Sequence, residues 1–331
     1  MVLHPAIIAL LTSSIFITGL VLYSARIGVT ILVRWDLTSG SELQLELERK
    51  TYLISTVLAN AFVFQLVSLF LYIFTADRLH SQFVGAMCAA GTLYLNGFGY
   101  PALMLKIVTF LLAGLWLILD YTDTRAYDYP LVRTKYLLLL VLTPFIVAEL
   151  IVQGSYLLSL EPNVITSCCG SLFSSDARGV SADIAGLPIA PTRIAFYVSI
   201  GLTCLSGLYF FFRSRGAYLV AVLSGLTAVL SLASMVSFIS LYFYELPTHH
   251  CPFDILQGAY GYVGYPLYFT LGGGVLAGIG VGLLAPFRKI ESLQAVVPGI
   301  QRTLSLVATV LFFLFSLVVT YQIATSDVVL G

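Results

Sequence analysis

The chain alternates long apolar stretches with short polar segments. Eight of these stretches are long enough to cross a bilayer, because a spanning helix needs about 20 predominantly apolar residues. We predict their bounds as Pro5–Thr30, Leu53–Ala76, Ala102–Leu119, Lys135–Leu160, Ile194–Phe212, Ala217–Tyr244, Tyr265–Ala285 and Thr303–Ala324. The semi-apolar segment Phe83–Tyr100 is interpreted as a candidate re-entrant or interfacial helix. The pattern predicts an all-α integral membrane protein with about eight transmembrane helices.

Composition supports the same class. Of the 331 residues, 59% are hydrophobic and only 10% are charged, whereas a soluble domain carries about 25% charged residues. The polar segments are shorter than the usual domain minimum, so residues 1–331 are predicted to form a single polytopic domain in the lipid bilayer, with no separate soluble domain. The formal net charge is zero, and a nucleic-acid partner is therefore not expected.

Lysine and arginine residues are distributed unevenly between alternate connections. Twelve of the 16 fall in or beside the first, third, fifth and seventh connections, and the other side has Arg78, Lys106, Arg178 and Arg193. Positive residues concentrate on the cytoplasmic side of membrane proteins. We therefore predict a multi-pass protein of the plasma (inner) membrane with both termini outside the cytoplasm. Its predicted outer loops cover about residues 77–101, 161–193 and 245–264.

Histidine and cysteine residues gather on the predicted outer side. All four histidines and four of the five cysteines map there, and only Cys204 lies inside a predicted span. The predicted cytoplasmic loops contain neither residue type. The outer members are His4, His80, His249, His250, Cys88, Cys168, Cys169 and Cys251. This segregation predicts a functional site on the outer face.

The sharpest local sequence is Thr248–Asp254, which reads Thr-His-His-Cys-Pro-Phe-Asp. Pro252 suits the first position of a short helix and the following aspartate its first turn, so Cys251 is predicted at the N-cap. A thiol at a helix N-terminus beside imidazoles is stabilised as the thiolate. Cys251 is therefore interpreted as a reactive thiol or a soft-metal ligand, with His249 or His250 as the neighbouring base. The alternative is a disulfide-bonded or buried cysteine in a tight loop.

Two adjacent cysteines, Cys168 and Cys169, form a second element. Adjacent cysteines rarely bond to each other, because the loop is too small for relaxed disulfide geometry. They suit two different partners or a shared metal ion. Cys88 and Cys251 are the partners available outside the membrane, so two disulfides among the four outer cysteines are the alternative interpretation.

A third element combines His80, Met87 and Cys88. If residues 78–95 are helical, His80 and Met87 share a face because they are seven positions apart. Histidine, methionine and cysteine together are ligands that copper favours, although packing of the methionine and the cysteine on an apolar helix is the alternative. The complete set of predicted metal ligands is His80, Met87, Cys88, Cys168, Cys169, His249, His250 and Cys251.

Ionisable residues inside the spans are few, and each is a functional candidate because a charge within a membrane is costly. Glu149 lies near the middle of the fourth span and Lys106 in the outer part of the third. We predict that they bind a cofactor such as a quinone headgroup or form a proton path; the alternative is a structural clamp between helices. The seventh span carries Gly274, Gly278 and Gly282 at a four-residue spacing, which is typical of close helix packing.

Three functions fit these features. The favoured hypothesis is a redox protein in which Cys251 attacks, His249 or His250 is its base, and Cys168 and Cys169 are the exchanging pair. Electrons would pass to a quinone or to an extracytoplasmic thiol protein, although the chain lacks a C-x-x-C motif. The second hypothesis is a permease or a component that handles a soft transition metal such as copper or zinc. The third is a non-catalytic membrane subunit that docks other membrane subunits.

Overall fold

The structure, a computed structural model, describes residues 4–35, 41–161, 164, 166 and 180–328. Within these ranges the regular structure is entirely helical. The helices are α1 (Pro5–Arg34), α2 (Glu42–Leu79), α3 (Ala89–Leu93), α4 (Gly99–Asp123), α5 (Val132–Leu158), α6 (Val180–Ala185), α7 (Ile189–Arg213), α8 (Ala217–Ser234), α9 (Ser240–Tyr244), α10 (Gly264–Leu283) and α11 (Val297–Thr325). A π-helical turn, Met235–Ile239, joins α8 to α9.

Eight helical segments of the described chain are long and apolar enough to cross a membrane. Each predicted span corresponds to one of them, so the prediction of an all-α protein with eight spanning helices is confirmed. Most of the helices run past at least one predicted bound, although α5 and α10 end two residues before theirs. The shortest prediction, Ala102–Leu119, is the central part of the 25-residue helix α4, because polar and aromatic residues at its ends interrupt the apolar run without ending the helix.

Helix α2 begins well before the predicted second span. It has 38 residues, which at 1.5 Å per residue give a length of about 57 Å. That length exceeds the roughly 30 Å of the hydrocarbon core of a bilayer. The extension holds an exposed ion pair between Glu46 and Lys50, 2.6 Å long, at the i,i+4 spacing that stabilises helices in water. The polar stretch before the second span is therefore a continuation of the spanning helix.

The segment between α2 and α4 does not form one helix, so the condition of a helix over residues 78–95 is not met, and within the candidate helix Phe83–Tyr100 only α3 and the start of α4 are helical. After α2 the chain makes a 3-10 turn, bends, and then forms only the five-residue α3. Gly85 explains the bend, because its φ is +88° and a Cβ atom there would lie 2.0 Å from the carbonyl oxygen of Thr166. Glycine alone tolerates this backbone and this approach. His80 and Met87 therefore do not share a helical face.

The chain divides into two compact units. The first comprises Met1–Thr75, Asn96–Pro162 and Phe287–Val297, and it contains α1, most of α2, α4 and α5. Trp116 lies in its core and packs edge-on against Phe62, with ring centroids 5.0 Å apart. The indole N–H of Trp116 donates to the carbonyl oxygen of Lys135 at 3.0 Å, which joins α4 to α5.

The second unit comprises Ala76–Leu95, Asn163–Pro286 and Pro298–Gly331. It contains α3, α6 to α10 and nearly all of α11. Phe196 of α7 is fully buried in this unit. The rings of Phe238 and Phe315 lie 5.8 and 5.9 Å from it, so one aromatic cluster joins α7, the π-helical turn and α11.

Helices α8 and α10 approach each other at two glycines of α10. A Cβ atom at Gly278 would lie 2.6 Å from the Cβ of Ser224, and one at Gly282 would lie 2.6 Å from the Cβ of Ala221. Real Cβ atoms do not approach so closely, so these positions need glycine. The predicted packing role is confirmed for both glycines.

Gly278→Ala is expected to destabilise the protein by about 1–3 kcal/mol, the usual cost of overpacking. Rotating the Ser224 hydroxyl cannot relieve the clash, because the clash also involves the Ser224 Cβ. Gly225→Ala on α8 is the matched control, since a Cβ atom there meets nothing within 4 Å and alanine favours a helix. Thermal unfolding in detergent measures both variants; a Gly278→Ala variant as stable as the wild type would contradict the packing.

Candidate functional site

The turn that carries Cys251 lies between α9 and α10 and is held by tyrosine hydroxyls. Tyr244 donates to the carbonyl oxygen of Cys251 at 2.6 Å and accepts from the backbone N–H of Ile255 at 2.9 Å. Tyr268 donates to the carbonyl oxygen of Pro252 at 2.6 Å. These bonds fix the backbone at the cysteine and in the four residues that follow it.

Cys88 reaches the same place from the segment before α3. It is the N-cap residue of α3, with an extended backbone. The side-chain amide of Gln257, which follows the Cys251 turn, donates to the carbonyl oxygen of Met87 at 2.6 Å and to the carboxylate of Asp77 at 3.2 Å. One amide therefore ties the Cys251 turn to the residue before Cys88.

Cys88, Cys251 and Asp254 form a buried group of side chains, the Cys88–Cys251–Asp254 cluster. The two sulfur atoms lie 3.5 Å apart, and the Cys251 sulfur lies 3.6 Å from Asp254 Oδ1. Both cysteines are 0% exposed and Asp254 is 7% exposed. One ligand atom from each residue lies within 4.8 Å of the other two, so the cluster is able to hold a metal ion.

His249 lies behind the carboxylate of Asp254. Its Nε2 lies 2.5 Å from Asp254 Oδ2, while the other carboxylate oxygen faces Cys251. Burial raises the pKa of Asp254, but hydrogen bonds from His249, Cys88 and Cys251 outweigh burial and hold that pKa below its usual value. Asp254 is therefore a carboxylate at neutral pH. The His249 side chain is 27% exposed, so the imidazole connects the buried carboxylate with the surface.

Other predicted ligands have different contacts. His250 Nδ1 lies 2.9 Å from the carbonyl oxygen of Val236 in the π-helical turn. His80 Nδ1 contacts the carbonyl oxygen of Asp77, and Met87 is 64% exposed. Neither histidine belongs to the three-ligand group found among the described residues.

Cys251 does not cap a helix, so that prediction is wrong. The next regular element is the 3-10 turn Asp254–Leu256, whose N-cap is Phe253. The backbone N–H of Phe253 nevertheless donates to the Cys251 sulfur at 3.5 Å, so a backbone donor contacts the sulfur without a helix. Cys168 and Cys169, the predicted exchanging pair, lie outside the described residues.

Lys106 and Glu149 form a buried ion pair in the first unit. The Lys106 ammonium lies 2.7 Å from Glu149 Oε1, and the two residues are 1% and 2% exposed. Gln65 and Thr109 donate to Glu149 Oε2 at 2.7 and 2.5 Å, and Lys106 donates to the Ser68 hydroxyl at 3.1 Å. All these partners are side chains of α2, α4 and α5, which is the geometry of a helix clamp. A cofactor role for this pair stays a prediction.

Two further sets of residues were not predicted from the sequence. The sequence suggests a helical first turn for Asp254, whereas its carboxylate lies between a thiol and an imidazole. Lys135 counts as a loop charge in the sequence, whereas its ammonium lies 2.9 Å from both Asp120 Oδ1 and Asp123 Oδ2. The available signal for this second group was an acidic pair at the end of one span and a lysine at the start of the next.

The cluster suits two kinds of chemistry. A disulfide has an S–S bond of about 2.05 Å, so the sulfurs would have to approach by about 1.5 Å to bond. Two thiolates on a tetrahedral zinc ion, each with a bond of about 2.3 Å, lie about 3.8 Å apart, which is close to the 3.5 Å found between these sulfurs. Comparisons with protein-family models, with curated proteins and with solved structures gave no significant match to this chain.

Proposed function

We propose that this chain is a multi-pass membrane redox protein in which Cys88 and Cys251 interconvert between a dithiol and a disulfide. The observation that best supports the proposal is the pair of sulfur atoms 3.5 Å apart, with the Asp254 carboxylate 3.6 Å from one of them. Cysteine side chains change rotamer readily enough to close the remaining gap. Cys88, predicted as a metal ligand, thereby becomes the redox partner of Cys251.

Asp254 and His249 supply a path for the protons that oxidation releases. The thiolate is the reactive form of cysteine, and the Asp254 carboxylate is a base in contact with the Cys251 sulfur. The proton passes from Cys251 to Asp254 and then to His249, whose side chain is partly exposed. His249 therefore acts through the carboxylate and not directly on the thiol.

Oxidation of the pair releases two electrons and two protons, so it needs a two-electron acceptor. We assign this role to a quinone: two thiols and one quinone give one disulfide and one quinol. Both sulfur atoms are fully buried, which disfavours direct attack by a thiol of a folded partner protein because exchange depends on access. A small apolar acceptor that enters from the bilayer is able to reach buried sulfur atoms.

Cys168 and Cys169 remain the proposed exchanging pair, which delivers electrons to the cluster from an extracytoplasmic thiol protein. The partner's two thiols would become a disulfide as the cluster disulfide is reduced. Thr166, two residues before Cys168, donates its backbone N–H to the carbonyl oxygen of Val84 at 3.1 Å and its hydroxyl to that of Gly91 at 3.2 Å. Val84 and Gly91 lie on either side of Cys88 in the sequence. These bonds therefore support exchange between the Cys168–Cys169 pair and the cluster.

We further propose that the cluster faces the outside of the plasma (inner) membrane. The distribution of lysine and arginine supports this orientation. Lys106 and Lys135 are buried in ion pairs and carry little weight in such a count. Without these two lysines, eleven basic residues lie on the predicted cytoplasmic side and three on the outer side. This ratio favours the same orientation more strongly than twelve to four.

A second candidate function is the handling of copper or zinc by the same cluster. It is favoured by the sulfur–sulfur distance of 3.5 Å and by three buried ligands within 4.8 Å of one another. Thiolate ligands select soft or borderline metals. Zinc usually takes four ligands, so this function needs a fourth donor in addition to the cluster.

The redox proposal is tested on purified protein equilibrated in glutathione buffers of stepped potential. Samples are quenched with acid, unfolded in SDS and labelled with an alkylating mass tag, and peptide mapping locates the disulfide. We expect a two-electron transition that forms and breaks a disulfide between Cys88 and Cys251, and oxidation of the pair by a soluble quinone analogue. Cys204→Ser is the matched control, because Cys204 contacts the Thr309 carbonyl oxygen and lies outside the cluster. It should leave the transition unchanged, whereas Cys88→Ser and Cys251→Ser should abolish it.

Asp254→Asn adds a kinetic readout to the same assay. The amide keeps the shape of the carboxylate but accepts no proton, so oxidation by the quinone analogue is expected to slow about 100-fold at neutral pH. A pair that stays reduced across the whole buffer series would exclude redox exchange. Native protein whose thiols are alkylated only after a chelator is added, together with stoichiometric zinc or copper, would establish the metal function instead.

A further inference from the structure

A cavity of about 240 Å³ lies within the first unit. Its wall is formed by the end of α1, the N-terminal part of α2 and the connection between α4 and α5. No residue of the Cys88–Cys251–Asp254 cluster contributes to it. Binding in this cavity is therefore independent of the proposed redox function.

The wall of this cavity is acidic. Glu48, Asp120 and Asp128 line it, and Lys135 is the one basic residue among the described residues of the wall. The Lys135 ammonium is already held 2.9 Å from Asp120 Oδ1 and 2.9 Å from Asp123 Oδ2. One lysine cannot balance the three carboxylates of the wall together with Asp123 behind it, so an excess of negative charge remains at the cavity.

The arginines of the same connection bond elsewhere. Arg125 donates to the hydroxyl of Tyr121 at 2.8 Å, and Arg133 donates to the carbonyl oxygen of Trp35 at 2.5 Å. Neither arginine lines the cavity. The excess negative charge therefore favours a cationic occupant.

Buried polar atoms without hydrogen bonds line the cavity as well. Thr51 and Ser55 are each 5% exposed, and no hydrogen-bond partner lies within 3.5 Å of either hydroxyl. Both hydroxyls face the buried Tyr136 hydroxyl, which interacts with each of them. One oxygen of Asp128, Oδ1, is also buried without a partner. Buried polar groups in native proteins nearly always have partners, so the Asp128 oxygen indicates a missing ligand.

We propose that the cavity binds an organic ammonium cation. Trp35, Tyr52, Tyr127 and Tyr129 line it together with the carboxylates, and aromatic faces attract ammonium groups. An inorganic divalent cation would instead need about six or more converging oxygen ligands. The volume is below the roughly 300–1,000 Å³ of pockets for drug-sized ligands, which suits a small ammonium group. The unpaired Asp128 oxygen supplies its counter-charge.

The ammonium group has two possible sources. One is a soluble amine, and the other is the headgroup of a phospholipid that carries an amine or a quaternary ammonium. Both present the same chemistry to the aromatic and acidic wall. The experiment below therefore tests the shared chemistry first and separates the sources afterwards.

Tryptophan fluorescence reports directly on this cavity. The chain has two tryptophans: Trp35 lines the cavity, and Trp116 bonds to the carbonyl oxygen of Lys135 in its wall. Purified protein in a maltoside detergent is titrated with tetramethylammonium, choline or ethylammonium chloride, with sodium chloride replaced to keep the ionic strength constant. A saturable change is expected with an ammonium salt and none with sodium or potassium chloride. The same change with all salts, or no change with any probe in detergent or bilayer, overturns the proposal.

Two variants locate the binding. Asp128→Asn is expected to weaken binding at least about tenfold, because it removes the counter-charge. Glu46→Gln is the matched control. It removes one carboxylate from the same part of α2, but Glu46 does not line the cavity, so this variant should bind like the wild type. Ser55→Leu fills the cavity and should abolish binding, while the thermal unfolding temperature of each variant verifies folding. A folded Ser55→Leu variant with wild-type affinity also overturns the proposal.

Nanodiscs distinguish the sources. If the soluble salts change the fluorescence in nanodiscs of phosphatidylglycerol, a soluble amine is the ligand. If only nanodiscs that contain phosphatidylethanolamine or phosphatidylcholine change the fluorescence, and Ser55→Leu abolishes that change, the ligand is a lipid headgroup. Lipid-dependent fluorescence that Ser55→Leu leaves intact arises elsewhere on the protein and counts against the cavity.

Discussion

Replacing Glu149 with leucine is expected to destabilise the folded protein by about 3–5 kcal/mol, the usual cost of leaving one member of a buried ion pair without its counter-charge. Lys106 would keep its hydrogen bond to Ser68 but lose the carboxylate 2.7 Å away. Gln65 and Thr109 would each lose one acceptor as well. An unfolding titration with SDS in mixed micelles measures the difference in free energy.

The double variant Lys106→Met with Glu149→Leu identifies the cause. Replacing a buried ion pair by apolar residues is often neutral, so the double variant should be more stable than Glu149→Leu alone. Asn60→Leu is a control for a polar-to-apolar change, because Asn60 is exposed on α2 and its side-chain amide donates to the Thr56 carbonyl oxygen of the same helix at 2.8 Å. It should unfold like the wild type. A double variant as unstable as the sum of the two single variants would refute the clamp.

Lys135→Met is expected to have the second large effect. The Lys135 ammonium lies between two carboxylates, 2.9 Å from each, and Asp120 and Asp123 are 8% and 0% exposed. Its removal leaves two buried like charges side by side, which is unfavourable for both. We expect a loss of at least about 3–5 kcal/mol, detected as a lower thermal unfolding temperature in detergent.

Lys50→Met provides the comparison for this lysine. Lys50 also pairs with a carboxylate, Glu46, at 2.6 Å, but both side chains are exposed, and exposed ion pairs contribute little to stability. Its unfolding temperature should therefore match that of the wild type. If Lys135→Met behaves like Lys50→Met, the buried triad does not stabilise the first unit.

The number and order of the spanning helices were predictable, because the length of an apolar run is a local property of the sequence. The ends of the helices were not. Helix α7 ends where Ser214 takes a left-handed backbone with φ 53°, and α2 begins in a polar stretch whose charges are paired along the helix. Both features depend on backbone geometry and side-chain pairing, which hydropathy does not report.

The candidate site was predictable only in part. The gathering of histidine and cysteine pointed to the loops that hold Cys88 and Cys251. Their pairing was not apparent, because they are 163 residues apart in the sequence and the bend at Gly85 depends on contact with a distant segment. Asp254 was missed because its role depends on a turn held by Tyr244. Tertiary contacts, not local patterns, determine these positions.

The two ion-paired groups of the first unit have a consequence for how the protein enters the membrane. Lys106 and Asp120 are 14 residues apart on α4, and Lys135 and Glu149 are 14 residues apart on α5. The pairs therefore lie at two levels about 21 Å apart along the helices, and the lysine belongs to α4 at one level and to α5 at the other. Sliding one helix by a turn would separate both pairs, so the charges specify the register. Each helix alone would carry charged side chains without their partners into the membrane, which is costly. We therefore expect α4 and α5 to insert together as a hairpin.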